Sequence, residues 1–284
     1  MDIIQYRLVF AFFLLNIAYS YAHGFESKYI QYSFTIQNTT SQLLSNAKLW
    51  AYAPLKETSF QTCKHIEVDN THEIISDTFG NRIIYIQLPR ISPFGTKIIT
   101  IKSGLIINKT PRTFNQNTNA SFINAEKYIE SDDKEMINFS RSFIGKTHLL
   151  TLQNIYEWVI NHIQYIGYIK NDRGARWALK NKKGDCTEFM YLLVALCRAN
   201  KIPSRCVGGY VCESNTIIHS SDYHNWAEVL YDGKWRIIDP QKKMFMENEH
   251  HYIAFKYITH MKKSNLPYFH RYHYLGNGLT VKMN

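Results

Sequence analysis

Strict alternation of apolar and polar side chains near the start of the chain limits what this half of it can become. Ile30, Tyr32, Phe34 and Ile36 interleave with Gln31, Ser33, Thr35 and Gln37, a period of two that places each set on its own face of an extended strand. Further β-rich runs occupy residues 48–52, 82–88 and 96–101, separated by turn-forming clusters at 38–40, 79–81 and 92–95. Short strands at such spacing predict a β-sandwich over residues 25–108. No cluster of reactive side chains falls inside it. Cys63 stands alone there and reads as a small buried apolar side chain. The expected role of the sandwich is to position or cover the second half of the chain.

Beyond residue 108 the period changes. Residues 109–124 are rich in Asn and Thr and read as a linker, and residues 125–241 carry helical spacing. Ser131, Asp132 and Asp133 form a helix start signal, followed by Met136, Ile137, Ser140, Phe143 and Ile144 at helical intervals. A second helix is expected over 150–163, with Trp158 as core and His162 as a packing histidine. A third, strongly apolar helix runs from Cys186 to Ala199 and stops near Asn200 and Pro203, with Cys197 in its core. The chain is 284 residues long, with 45% hydrophobic and 20% charged residues. Such a chain can offset its ordering entropy by burial, which excludes wholesale disorder and a scaffold held mainly by disulfides.

The ends carry a different message. Residues 8–18 are an apolar run too short to span a bilayer as a helix but suited to a signal h-region, and Ser20 and Ala22 place a cleavage site after Ala22. Residues 1–22 are therefore expected to be a signal peptide, and the mature chain to be periplasmic or secreted. Lys and Arg exceed Asp and Glu by 33 to 23, a formal charge of +10. Half of that excess, +5, lies in residues 241–284. A basic C-terminal extension, residues 242–284, is expected to pack on the core and could contact an anionic surface. No nucleic-acid module is present and no nucleic-acid partner is expected.

Five cysteines in an exported chain leave at least one outside any intramolecular disulfide. Cys186 is the one placed for chemistry. It follows Gly184-Asp185 at a helix N-terminus, where unpaired N–H groups and the helix dipole favour an anion, lower a thiol's pKa and offer oxyanion donors. Residues 204–211 read as a strand, and Tyr223–Tyr231 and Lys234–Asp239 as a hairpin around Asp232-Gly233. A two-residue turn pairs Tyr231 with Lys234, so Asp239 stands opposite Trp226 and diagonal to His224. That brings a carboxylate within reach of an imidazole. A thiol, a base and an acid fixing the tautomer of that base constitute an activated nucleophile.

Four segments stand in order: Gly184-Asp185-Cys186, Arg198-Ala199-Asn200-Lys201-Ile202-Pro203-Ser204-Arg205, His224-Asn225-Trp226-Ala227-Glu228-Val229 and Trp235-Arg236-Ile237-Ile238-Asp239-Pro240. Together they resemble the transglutaminase-like superfamily. The resemblance implies an α+β fold with a papain-like transglutaminase core preceded by the sandwich, with Cys186 as nucleophile, His224 as base and acid, and Asp239 as orienting residue. Asn200 and Lys201 depart from the small and glycine residues usual there, and the αL tolerance of Asn is expected to preserve the cap. The sequence marks no second oxyanion donor: Trp177 and Tyr165 lie upstream, with core packing the expected fate of both.

The function implied is an exported cysteine-dependent acyl hydrolase or acyltransferase acting on peptide, amide or isopeptide bonds in a peptide, protein or cell-wall substrate. Water or an amine can resolve its thioester. No cofactor and no metal are expected: Cys206, Cys212, His250 and His251 lack close ligand spacing, and six residues of strand separate the two cysteines by about 20 Å. The competing class is a non-catalytic binding module on the same scaffold, against which an intact set of Cys186, His224 and Asp239 argues.

Overall fold

The computed structural model describes residues 24–113, 122–260 and 269–284. The expected signal segment and the middle of the expected linker lie outside the described residues. The N-terminal half contains β1 (Phe25–Asn38), β2 (Lys48–Ala53), β3 (Gln61–Val68), β4 (Glu73–Ser76), β5 (Arg82–Gln87) and β6 (Thr96–Asn108). β1, β6 and β3 are antiparallel neighbours in one sheet, and β2, β5 and β4 in another. The alternating Ile30, Tyr32, Phe34 and Ile36 all point into the core between them, against Leu49, Ala51, Ile84 and Ile86. β6 continues past Ile101 because β1 is equally long and pairs with it from Phe25↔Asn108 to Gln37↔Thr96.

The second half contains α1 (Lys134–Ser140), α2 (His148–His162), β7 (Gln164–Tyr165), α3 (Ala175–Asn181), β8 (Lys183–Gly184), α4 (Cys186–Ala199), β9 (Ser204–Val211), β10 (Thr216–Ile217), β11 (Tyr223–Tyr231), β12 (Lys234–Asp239), β13 (Met244–Phe245), β14 (Tyr252–Ile258), β15 (Tyr272–Leu275) and β16 (Leu279–Met283). α1 ends earlier than its spacing predicts. The Ser140 hydroxyl donates back to the Ile137 carbonyl, Arg141–Phe143 tighten into a 3-10 turn, and Ile144 is left exposed.

A central sheet in the order β13-β12-β11-β9-β14 is covered on both faces. Cys206, Ala227, Val229 and Ile238 meet the helices on one side. Val207, Trp226, Trp235 and Ile237 meet Leu55, Phe60 and Phe79 of the N-terminal half on the other. The double cover explains why β9 is buried along nearly its whole length instead of alternating. The hairpin register is the one its turn dictates, with Tyr231↔Lys234 through Ala227↔Ile238. Asp232 and Gly233 both take positive φ, 50° and 69°, as a type I′ turn requires.

The C-terminal extension does more than lie on the core. β14 joins the central sheet beside β9, whereas β15 pairs with β2 and β16 with β1, so the last strands complete the sandwich. At the end of α4 the left-handed residue is Lys201, at φ 61°, and not Asn200. Asn200 contributes through its side chain, whose Nδ2 donates to the Ser140 and Leu196 carbonyls.

Candidate active site

Cys186 opens α4 behind a reciprocal cap. Asp185 accepts from the Thr187 N–H at 2.8 Å and from the N–H of Glu188, while Glu188 Oε2 accepts from the Asp185 N–H at 3.2 Å. A Cβ at Gly184 would collide with the Glu188 side chain, so glycine is what lets this cap close. The remaining carboxylate oxygens anchor the preceding loop: Asp185 Oδ2 accepts from Ile169 N–H at 2.8 Å and Glu188 Oε1 from Arg173 N–H at 2.9 Å. Burial, reinforced by Asp185, raises the Glu188 carboxyl to about 7 despite the Arg173 hydrogen bond. Because the cap takes the Thr187 and Glu188 N–H groups, only that of Cys186 among the first three lies outside it.

The sulfur is tied to β11. The Asn225 backbone and the Thr187 side chain lie close enough to favour the ionised sulfur, and Asn225 Nδ2 donates to Thr187 Oγ1 at 3.0 Å. The expectation of a thiol pKa lowered by the helix dipole is overturned. Burial first, and the adjacent Asp185 carboxylate second, push the Cys186 thiol up to about 12. The sulfur is therefore held as a thiol at neutral pH.

His224 Nε2 and Asp239 Oδ2 are 2.6 Å apart. A carboxylate can only accept, so Nε2 carries the proton and Nδ1 is left to take one. Gly209 pairs with His224 across the sheet, and a Cβ there would strike the Ile253 carbonyl and the Trp226 ring. Asp239 is fully buried. Its Oδ1 accepts from the Lys242 N–H at 3.1 Å, and its Oδ2 accepts a second hydrogen bond, from the Tyr252 hydroxyl at 2.9 Å.

Of the three expected residues, His224 and Asp239 are in contact, and Cys186 lies near enough for Asn225, the residue after His224, and for Asp239 to act on its thiol. Tyr252, Asn225 and Thr187 were not singled out by the sequence. Asn225 and Thr187 sit beside singled-out residues and carry the hydrogen-bonding side chains that mark them. Tyr252 gives no local signal. Tyr165 departs from the packing expected of it: it is 52% exposed, and the charges of Cys186 and Asp185 add to desolvation in raising its phenol. Trp177 is half-buried beneath the Arg173 guanidinium.

The other motif residues hold the scaffold. Arg198 is buried and pairs with Glu126 at 2.7 Å while bonding the Ser204 and Asn124 carbonyls. Arg205 pairs with Glu228 at 2.6 Å, its guanidinium 4.0 Å from the centres of both the Trp235 and the Tyr257 rings. All five cysteines are unpaired thiols, and Cys63 and Cys197 lie in apolar cores.

Residues 140–240 match the sequence profile of the transglutaminase-like superfamily. This segment belongs to that superfamily. It contains α4, β11 and β12, which carry Cys186, His224 and Asp239. The crystal structure of a candidate cysteine protease from Cytophaga hutchinsonii superposes with a TM-score of 0.58 at 15% identity, covering 92% of each chain. That likeness extends the shared fold beyond the transglutaminase-like core to the sandwich. The periplasmic domain of TgpA from Pseudomonas aeruginosa bound to ethylmercury aligns with a TM-score of 0.39 at 13% identity, over 79% of this chain and 94% of that one. No curated protein matches in sequence. Among the described residues, no helix is long and apolar enough to cross a membrane.

Proposed function

We propose that the protein is an exported cysteine-dependent acyl hydrolase or acyltransferase that cleaves peptide, amide or isopeptide bonds through a thioester on Cys186. The observation that carries this reading is the 2.6 Å His224–Asp239 contact on the strand whose next residue, Asn225, acts on the Cys186 thiol. Cys186 Sγ attacks the amide carbonyl carbon as its proton passes to His224 Nδ1. The C–N bond then breaks, and His224 returns that proton to the departing nitrogen. Water or a primary amine, deprotonated by the same imidazole, next attacks the thioester carbonyl, and the sulfur leaves and is reprotonated.

A thiol raised to about 12 by burial and Asp185 forms almost no free thiolate at neutral pH. Proton transfer to His224 is consequently coupled to attack. The Cys186 N–H, outside the helix cap, is the first donor offered to the carbonyl oxygen as it becomes an oxyanion. Export rests on the apolar residues 8–18 and the small residues 20 and 22. Exposed Lys242, Lys243 and Lys282 are basic residues of this extension on which an anionic wall or membrane polymer would be met.

Incubating the mature protein with a peptide mixture, with and without a primary amine, and weighing the products tests this directly. Cleaved peptides or amine adducts are expected, and Cys186→Ala should abolish both. Undiminished product from Cys186→Ala would overturn the assignment.

A further inference from the structure

Asp239 has two donors on the oxygen that faces His224, and the second comes from outside the segment matched by the family profile. Tyr252 is 3% exposed, packs edge-on against Trp226 at 5.1 Å, and has its phenol raised far above the ordinary value by burial and by Asp239. It is thus a fixed donor to the carboxylate.

Tyr252 begins β14, whose placement depends on three buried side chains. Glu249 Oε1 accepts from the Ile237 N–H at 2.7 Å, and its carboxylate also binds Arg236, fixing the turn into β14 against β12. On the edge of β14 away from β9, Gln61 of the sandwich brackets Ala254. Its Oε1 accepts from the Ala254 N–H at 2.9 Å, and its Nε2 donates to the Ala254 carbonyl at 3.1 Å. Asn81 brackets Tyr257 in the same reciprocal way, at 2.6 and 2.9 Å. Two side-chain amides take the place of a neighbouring strand along that edge.

We propose that Tyr252 is a positioning residue that acts through Asp239, and that the sandwich holds it in place by bracketing β14. The proposal rests on the reading of Cys186, His224 and Asp239 as the reacting groups. A carboxylate held by one donor can turn about its Cβ–Cγ bond. With His224 and Tyr252 on Oδ2 and the Lys242 N–H on Oδ1, the plane of Asp239 is set and the imidazole keeps Nδ1 free for the thiol proton.

A double-mutant cycle on the full chain tests this, reading alkylation of Cys186 by iodoacetamide at pH 7 from the mass of the Cys186 peptide. Tyr252→Phe keeps the ring and its packing and removes only the hydroxyl. It should slow alkylation about tenfold while circular dichroism shows the chain still folded at pH 7, and slow it no further when added to Asp239→Ala. Gln61→Leu should give a smaller slowing that is likewise absent in the Tyr252→Phe background. An unchanged rate in Tyr252→Phe, or an equal slowing with and without Asp239, would overturn the proposal while leaving the Cys186 reading intact. A native rate no faster than that of His224→Ala would overturn both.

Discussion

The two faces of the central sheet are covered by different material and contribute different chemistry. The helical face brings the nucleophile: α4 places Cys186 at its first turn, and the buried Arg198–Glu126 pair ties its far end to the chain entering the core. The sandwich face carries Trp226 and Tyr252, with His224 on the Trp226 side of β11, and the group that steadies the carboxylate comes with it. An all-or-none nucleophile sits on the side built from local helical contacts. The groups that tune it sit where segments distant in sequence meet. Loss of Cys186 or of its base should act on rate outright, whereas damage to the outlying supports that the sandwich gives to β14 should act by degrees.

The largest test of that contrast removes the base. With the thiol raised to about 12, the thiolate appears only as pH rises toward that value, so in His224→Ala the alkylation of Cys186 should climb about tenfold per pH unit between pH 7 and 10. At pH 7 it should fall at least about a hundredfold below native. A flat pH profile in the variant would mean that the sulfur is ionised without the imidazole, and the division between the faces would fail.

Next in size is the bracket on β14. Gln61→Leu strips the buried Ala254 N–H of its acceptor and should lower unfolding stability by about 2 kcal/mol, read from the urea midpoint. No loss would show that the edge of β14 does not need the sandwich. The smallest effect belongs to the helical face. Lys201 holds φ 61° where glycine would be at ease, so Lys201→Gly should raise stability by about 1 kcal/mol with activity unchanged.

The parts that could be read from the sequence are those where a short-range rule leaves one outcome. Asp232-Gly233 demands two positive φ values, and that turn set the register that brings His224 to Asp239. The apolar run after Cys186 gave α4 with its first and last residues. β3 was missed because its polar residues 64, 65 and 67 break the pattern on a strand at the end of its sheet beside β6. β14 was missed because it is buried along its whole length and so shows no alternation, and because β9, its partner, lies about forty residues upstream. Tyr252 was lost with it. The Cys186 ionisation went the other way from expectation because the dipole argument ignored two opposing effects. One, the Asp185 carboxylate, was next door in sequence. The other, burial, exists only once the chain is folded.

β1 is completed along one edge by β16, so that Thr35 and Asn284 touch across 249 residues. A ribosome releases the first of these strands long before the second. Through that interval the growing chain carries a bare, hydrogen-bond-hungry ribbon, the kind of edge on which neighbouring nascent chains coalesce. Closure of the sandwich therefore depends on strands at residues 272–283, far along the chain from the segment that bears the sulfur.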